Sequence, residues 1–471
     1  MSFDPATGPS ARSIAKAIAV KEISSREITD WSLERLRPIH EACNAVLSFE
    51  DDDARAAADA ADVDIASGAP TGPLHGVPLA HKDMFDRPGK IASWGARIQA
   101  NRPAEAYATV LQRLTDAGAH QVAALHLTEF AFGPTGHNYI HGHARNPYDP
   151  TRITGGSSSG SACSVAGGAI AAALGSDTAG SLRLPAAACG IKSLKPTWTR
   201  VSRAGCMPLS GALDCVGPIA RHVEDLALIT GLIAGHDPRD GLSSRRAVPD
   251  CLAALDAPVT GTRIAIDDAF IGTASPEIQT RFSGAVQLLE TAGCTTKPAA
   301  WADWGEINAL MMLIQFPEVA SAHGAFLRNR PGDYGPQVRS RIEFGHFISA
   351  ADHQTALRAR GTVLARFLDE MFADADVLAL PVYPDELPTI DALDLTQGPE
   401  LMTAITRVIQ FTRPVNYLGL PAVTLPYPRE DDALPNGFQL VGRPFSETRL
   451  LSLASAYEKM VPPVCAPMKG A

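Results

Sequence analysis

The run Gly155-Gly156-Ser157-Ser158-Ser159-Gly160-Ser161, followed by Asp177-Thr178-Ala179-Gly180-Ser181-Leu182-Arg183, constrains this chain more than any other feature. Two glycine-rich turns bearing serines flank one small-residue segment, 162–175. Glycine admits backbone turns that other residues resist, so such runs bring several N–H groups to one point. Upstream, a lysine stands in an equally compact context, Pro78-Leu79-Ala80-His81-Lys82-Asp83. Serines and a lysine on tight turns point to a nucleophile, a proton relay and an oxyanion hole.

The chain has 471 residues, enough for one large domain or two or three ordinary ones. Its hydrophobic fraction of 45% supports a sizeable core. A net charge of −10 argues against nucleic acid as partner, because phosphate binding needs a basic surface. No run of about 18 uninterrupted apolar residues is present, so no membrane span is expected. The start, Met1-Ser2-Phe3-Asp4-Pro5, lacks the basic and apolar stretches of a signal peptide. Eight cysteines are scattered without a Cys-x-x-Cys pair, which suits small buried hydrophobes better than disulfides or zinc ligands. A reducing cytoplasm is the simplest compartment.

Apolar spacing predicts helices within 10–36, with a capping box from Ser24 to Glu27, and over 104–117, after Pro103 and before Gly118. Residues 159–174 read as a helix of small side chains, and 121–125 as a buried strand. Further helices are expected at 276–291, 304–327, 350–372 and 447–459, and strands at 376–381, 422–426 and 438–441. Strands alternating with helices predict an α/β layer architecture with a parallel or mixed sheet. No linker isolates the more helical middle, 237–388, so it reads as an elaboration on one core.

Other motifs compete for the chemistry. Gly156-Ser157-Ser158-Ser159-Gly160 also fits the nucleophile elbow of α/β-hydrolases, with Ser158 as nucleophile and His346 or His353 as forced choices of base. An elbow needs a preceding strand, and 148–154 contains Asp149-Pro150, a poor core strand. Ser13-Ile14-Ala15-Lys16 matches Ser-x-x-Lys without its companion motifs. His137, His141 and His143 cluster in a loop-like context, without the helical spacing of a zinc site. No Gly-Lys-Ser/Thr phosphate loop follows the glycines.

The Lys82, Ser157 and Ser181 spacings resemble the amidase signature family of serine hydrolases. The resemblance runs from about residue 13 to 459. It includes Gly72-Pro73-Leu74-His75-Gly76-Val77-Pro78, Thr128-Glu129-Phe130-Ala131-Phe132-Gly133, Arg145-Asn146-Pro147-Tyr148-Asp149, Leu184-Pro185-Ala186-Ala187-Ala188-Cys189-Gly190 and Asn416-Tyr417-Leu418-Gly419-Leu420-Pro421-Ala422. It implies one amidase domain over 1–471 with a signature core at about 70–230, in a three-layer α/β/α fold around a mixed, mostly parallel sheet. It implies Ser181 as nucleophile, Ser157 as relay and Lys82 as base, with the N–H groups of Thr178, Ala179, Gly180 and Ser181 as the oxyanion hole. No cofactor and no metal are implied. Lys82 can act as a base only when unprotonated, and its apolar neighbours Leu79 and Ala80 favour that. Asp177 and Arg183 read as supports for the nucleophile turn.

Two positions depart from the family pattern: Ala179 replaces a usual glycine, and Met84 a frequent asparagine. Phe130, Phe132, Tyr139 and Met311 are candidate substrate contacts, with core packing as their alternative role. Lining a pocket, they would favour an apolar or aryl amide. The resemblance implies a small-molecule amide, ester or carbamate as substrate, and a monomer or homodimer. The amidase component of a tRNA-dependent amidotransferase and a non-catalytic binding protein on this scaffold are the rival readings.

Overall fold

The N-terminal apolar spacing resolves into two helices, Ala11–Ala19 and Ser25–Cys43, and the Ser24–Glu27 capping box joins them as expected. The computed structural model describes residues 8–69, 71–98, 103–429, 433–463 and 465–466; the chain start, 1–5, lies outside them. Eleven strands form one sheet: β1 (Val46–Phe49), β2 (Pro78–Lys82), β3 (His120–Leu125), β4 (Ala172–Asp177), β5 (Lys192–Lys195), β6 (Cys215–Ala220), β7 (Arg263–Ile266), β8 (Thr295–Pro298), β9 (Val377–Pro381), β10 (Ala422–Pro426) and β11 (Gly437–Gly442). Their order is β1-β3-β2-β4-β6-β5-β10-β11-β9-β7-β8. The sheet is mixed, but not mostly parallel. Six of the ten pairings are antiparallel, and the parallel ones are β2 with β3 and β4, and β7 with β8 and β9. Helices surround this sheet.

Strands β2, β3 and β4 are buried at every residue. A strand covered on both faces shows no polar–apolar alternation, and of these three only β3 was expected, from its short apolar run. Lys82 therefore stands at the end of a central strand rather than in a turn. The expected helix over 159–174 stops early, at Ser159–Ala166. Gly167 caps it, Gly168 follows with φ of +80°, and the chain then enters β4. Gly160, in the first turn of that helix, is required by contact: a Cβ there would lie 2.1 Å from the Ala45 carbonyl oxygen.

The expected helix over 104–117 is shorter, Thr109–Asp116, because Ala104 bridges to Pro88 and its N–H bonds Lys90. The middle of the chain supplies β7, β8 and β9 to the same sheet, with helices Pro276–Thr291, Trp304–Asn329, Pro336–Gly345 and Ala350–Met371 around them. By length and composition, Trp304–Asn329 is apolar enough to cross a membrane, although no such span was expected. Half of its apolar window is buried in this fold, where Ile307, Met311, Ile314 and Phe316 join the main core. All eight cysteines are free thiols, six of them buried.

Candidate active site

Parallel strands β2 and β4 pair through Ala80–Ala173 and His81–Leu174, so their C-terminal ends lie side by side. Ligand sites in α/β sheets lie beyond such ends. Lys82 ends β2, and its ammonium donates to Ser157 Oγ at 2.7 Å and to Ser176 Oγ, on β4, at 2.8 Å. Lys82 and Ser157 are 0% exposed, whereas Ser181 is 7% exposed and is the most reachable of the three. No acid forms an ion pair with Lys82 among the described residues. Burial lowers its pKa to about 7, against the opposite pull of Asp214 and Asp177. A lysine poised there can take up and return a proton at neutral pH.

The turn after β4 is built around one carboxylate. Asp177 Oδ1 accepts from the Gly180 N–H (2.8 Å), Arg183 Nη2 (3.0 Å) and Asn416 Nδ2 (2.9 Å). Its Oδ2 accepts from the Leu182 N–H (3.1 Å) and Arg183 Nε (3.0 Å). Arg183 also donates to Gln439 Oε1 at 2.7 Å and to Asn416 Oδ1. Burial alone would raise the Asp177 carboxyl, but the Arg183 guanidinium outweighs it and holds the pKa to about 2. Asp177 and Arg183 thus hold the Ser181 turn in shape.

Gly180 has φ of +131°, and a Cβ there would lie 2.5 Å from Thr412 Oγ1. The Thr412 hydroxyl donates to the Ala179 carbonyl at 2.6 Å, and the Thr178 hydroxyl to Asp214. One expectation needs correction: the Gly180 N–H is committed to Asp177, so of the four expected donors the N–H groups of Thr178, Ala179 and Ser181 are without a protein acceptor among the described residues. Ala179 is absent from the residues with positive φ, so alanine adds no strain in place of the usual glycine.

The remaining serines of the first run are tied to backbone. Ser158 is fully buried and contacts the Ser176 carbonyl at 3.3 Å, Ser159 bonds the Gly155 carbonyl and Ser161 the Leu174 carbonyl. No strand precedes Ser158, His346 is exposed, and His353 faces Glu318, so the elbow constellation is not assembled. Ser13 and Lys16 lie exposed on the first helix.

Phe130 and Met311 are buried in the main hydrophobic core. Phe130 packs on His323 and Tyr334, and Met311 is on the buried face of its helix. Phe132 is buried against Phe316 and beneath Arg341, and the Tyr139 hydroxyl bonds Asp394. His137, His143 and Asp394 bring potential ligand atoms within 4.8 Å of one another. Both ring nitrogens of His137 are already engaged, with Thr135 Oγ1 and the Ile390 carbonyl, which fits a structural histidine. A cavity of about 270 Å³ adjoins Ser176 and is lined also by Met84, Cys206, Met207 and Asp214. Ser176, Thr412 and Gln439 carried no motif signal, and Asn416 lay in a matched motif without a role.

The sequence profile described as Amidase matches residues 27–451. A glutamyl-tRNA(Gln) amidotransferase subunit from Chloroflexus aurantiacus (strain ATCC 29366 / DSM 635 / J-10-fl) is 36% identical over 468 residues, covering 94% of this chain and 95% of that protein. A structure of a vestigial protein complex, reported to reveal the origins of an s-triazine catabolic enzyme, has a chain that is 32% identical. It has a TM-score of 0.89 and covers 98% of this chain and 100% of its own. A peptide amidase bound to the competitive inhibitor chymostatin is 27% identical, with a TM-score of 0.84, covering 98% and 100%. With the profile spanning most of its length and relatives matched nearly end to end, the chain belongs to the amidase family, the amidase-signature enzymes.

Proposed function

We propose that the protein hydrolyses small-molecule amides through an acyl-enzyme on Ser181. The observation that carries this reading is the buried Lys82 ammonium on Ser157, beside a second serine turn with free N–H groups. Neutral Lys82 takes the Ser157 proton, and Ser157 takes the Ser181 proton as Ser181 Oγ bonds the substrate carbonyl carbon. The free N–H groups of Thr178, Ala179 and Ser181 stabilise the oxyanion. The C–N bond then breaks, and the leaving nitrogen receives its proton from Ser157, resupplied by Lys82. Water repeats the sequence in place of Ser181 and releases the acid. Esters and carbamates share the tetrahedral step; a carbamoyl-type acyl group ends as carbon dioxide. The test is release of acid and amine from a panel of amides, esters and carbamates, with loss of turnover in Ser181→Ala. Turnover retained in that variant contradicts the reading.

A second reading is favoured by relatives such as the Chloroflexus protein: an amidotransferase component that performs the same acyl chemistry on glutamine and delivers ammonia to a partner protein. Ammonia release from glutamine well above that from simple amides would replace the first reading with this one.

A further inference from the structure

The antiparallel pairing of β4 with β6 ends on the rung Asp177–Cys215. One residue further the two chain segments are joined by side chains instead: the Thr178 hydroxyl donates to Asp214 Oδ1 at 2.5 Å. Thr178 stands where β4 leaves the sheet and the Ser181 turn begins. The other Asp214 oxygen, Oδ2, accepts the N–H groups of Leu209 and Ser210, each at 2.9 Å. All three contacts are donated to the carboxyl, which suits its ionised form. The loop that carries Asp214 is itself anchored. Ser210 Oγ and the Ala212 N–H donate to Glu318 on helix Trp304–Asn329, and Arg360 donates to the Ala212 carbonyl at 2.7 Å.

The Ser181 turn is pinned at three places. Asp177 takes the Gly180 and Leu182 N–H groups, Thr412 holds the Ala179 carbonyl, and Asp214 holds Thr178. Two of these holders are charged, and they differ. Asp177 is balanced by Arg183 at 3.0 Å. Among the described residues Asp214 forms no ion pair; Arg203, which lines the same cavity, is paired with Asp240. Asp214 shares that cavity wall with Ser176, whose Oγ lies 2.8 Å from the Lys82 ammonium. Its charge raises the Lys82 pKa more than that of Asp177 does, against the larger effect of burial. Burial raises the neighbouring thiols Cys206 and Cys215, so neither adds a charge there at neutral pH. A neutral side chain could accept the Thr178 hydroxyl. A carboxylate without a counter-ion costs desolvation that a neutral group would not, which points to a use for the charge.

We propose that Asp214 is a positioning residue of this site: through Thr178 it aims the oxyanion donors at the start of the Ser181 turn, and from the cavity wall it places a negative charge near Lys82. The inference rests on the reading of Ser181 as nucleophile. The two tasks act on different parts of the reaction. Fixing Thr178 holds the N–H groups of Thr178 and Ala179 where the tetrahedral oxyanion forms. The charge stabilises the Lys82 ammonium that forms when the lysine takes the Ser157 proton, and that persists until the proton is returned toward the leaving nitrogen.

The experiment follows fluorophosphonate labelling of Ser181 against pH, read by peptide mass mapping, in wild type, Asp214→Asn, Thr178→Val and Thr178→Ser, with Tm measured for each. Asp214→Asn should slow labelling on its high-pH plateau by about 10- to 100-fold. It should also move the midpoint of the profile to lower pH by about one unit, because the charge that favours the ammonium is gone. Thr178→Val loses the hydroxyl and keeps the charge, so its plateau should fall while its midpoint stays. Thr178→Ser keeps the hydroxyl and should label like wild type. The midpoint is a readout that a merely structural aspartate would not move, and the Thr178 variants keep the test open if Asp214→Asn does not fold. A wild-type midpoint in Asp214→Asn, with or without a lower Tm, overturns the inference and leaves Ser181 as nucleophile; so does a wild-type plateau in Thr178→Val. A wild-type protein unlabelled at Ser181 overturns the nucleophile reading and the inference with it.

Discussion

Replacing Lys82 with methionine keeps much of the side-chain volume and removes the buried ammonium. In the fold burial lowers the Lys82 pKa to about 7, from an ordinary 10.5. Between those values the unfolded chain holds more protons than the native one, so stability rises with pH from about 7 to 10.5. Linkage across that shift penalises the native state by about 4 kcal/mol at pH 7 and about 2 kcal/mol at pH 9. Wild type therefore gains about 2 kcal/mol over Lys82→Met between pH 7 and pH 9. Other groups titrate in both proteins and cancel in the difference. At pH 7 the variant loses the bonds to Ser157 and Ser176, worth about 1 kcal/mol each, but escapes the larger ammonium penalty. It should be at least as stable as wild type while losing activity. Urea melts of both proteins at pH 7, 8 and 9 give the comparison. Parallel dependence of stability on pH in the two proteins would refute the depressed lysine.

The same depressed lysine predicts that kcat/KM rises with pH through an apparent pKa near 7, with unit slope on the acid side, because only neutral Lys82 can act as base; a profile flat from pH 5.5 to 8.5 contradicts this. Ser157→Ala should lower kcat by about 10²–10⁴-fold by breaking the relay, with little change in Tm; stopped assays with a good amide substrate read the loss. Arg183→Met strands the Asp177 carboxylate in the core and should cost about 3–5 kcal/mol by urea denaturation, and a change under 1 kcal/mol would show the network to be dispensable. Gly180→Ala forces a side chain against Thr412 at positive φ and should cut turnover more than Ala179→Gly, which relieves nothing; equal effects would refute the geometry drawn for the turn.

What could be read in the chain follows from where its information is stored. Lys82, Ser157 and Ser181 stand in local contexts with distinctive glycines, so their proximity was expected and the Lys82–Ser157 contact is seen. Helix Pro276–Thr291 and strand β10 coincide with expectation because an amphipathic period and a short apolar run with flanking turns are local signals. β2 was missed because its compact proline- and glycine-flanked context read as a turn, and β4 because its small side chains continued the helical reading as far as 174. The Asp177 network draws Asn416 and Gln439 from more than 230 residues away, and no local pattern reports such partners. Phe130 and Met311 were candidate contacts by type, but an aromatic or methionine side chain fits a core as readily as a pocket.

The central claim is that Ser181 is a nucleophile activated by Lys82 through Ser157. Labelling the folded protein with a serine-directed fluorophosphonate, followed by peptide mass mapping, tests it most directly. The account predicts one adduct, on Ser181, whose formation slows sharply in Lys82→Met. An adduct on Ser158, or none on the folded protein, would contradict it.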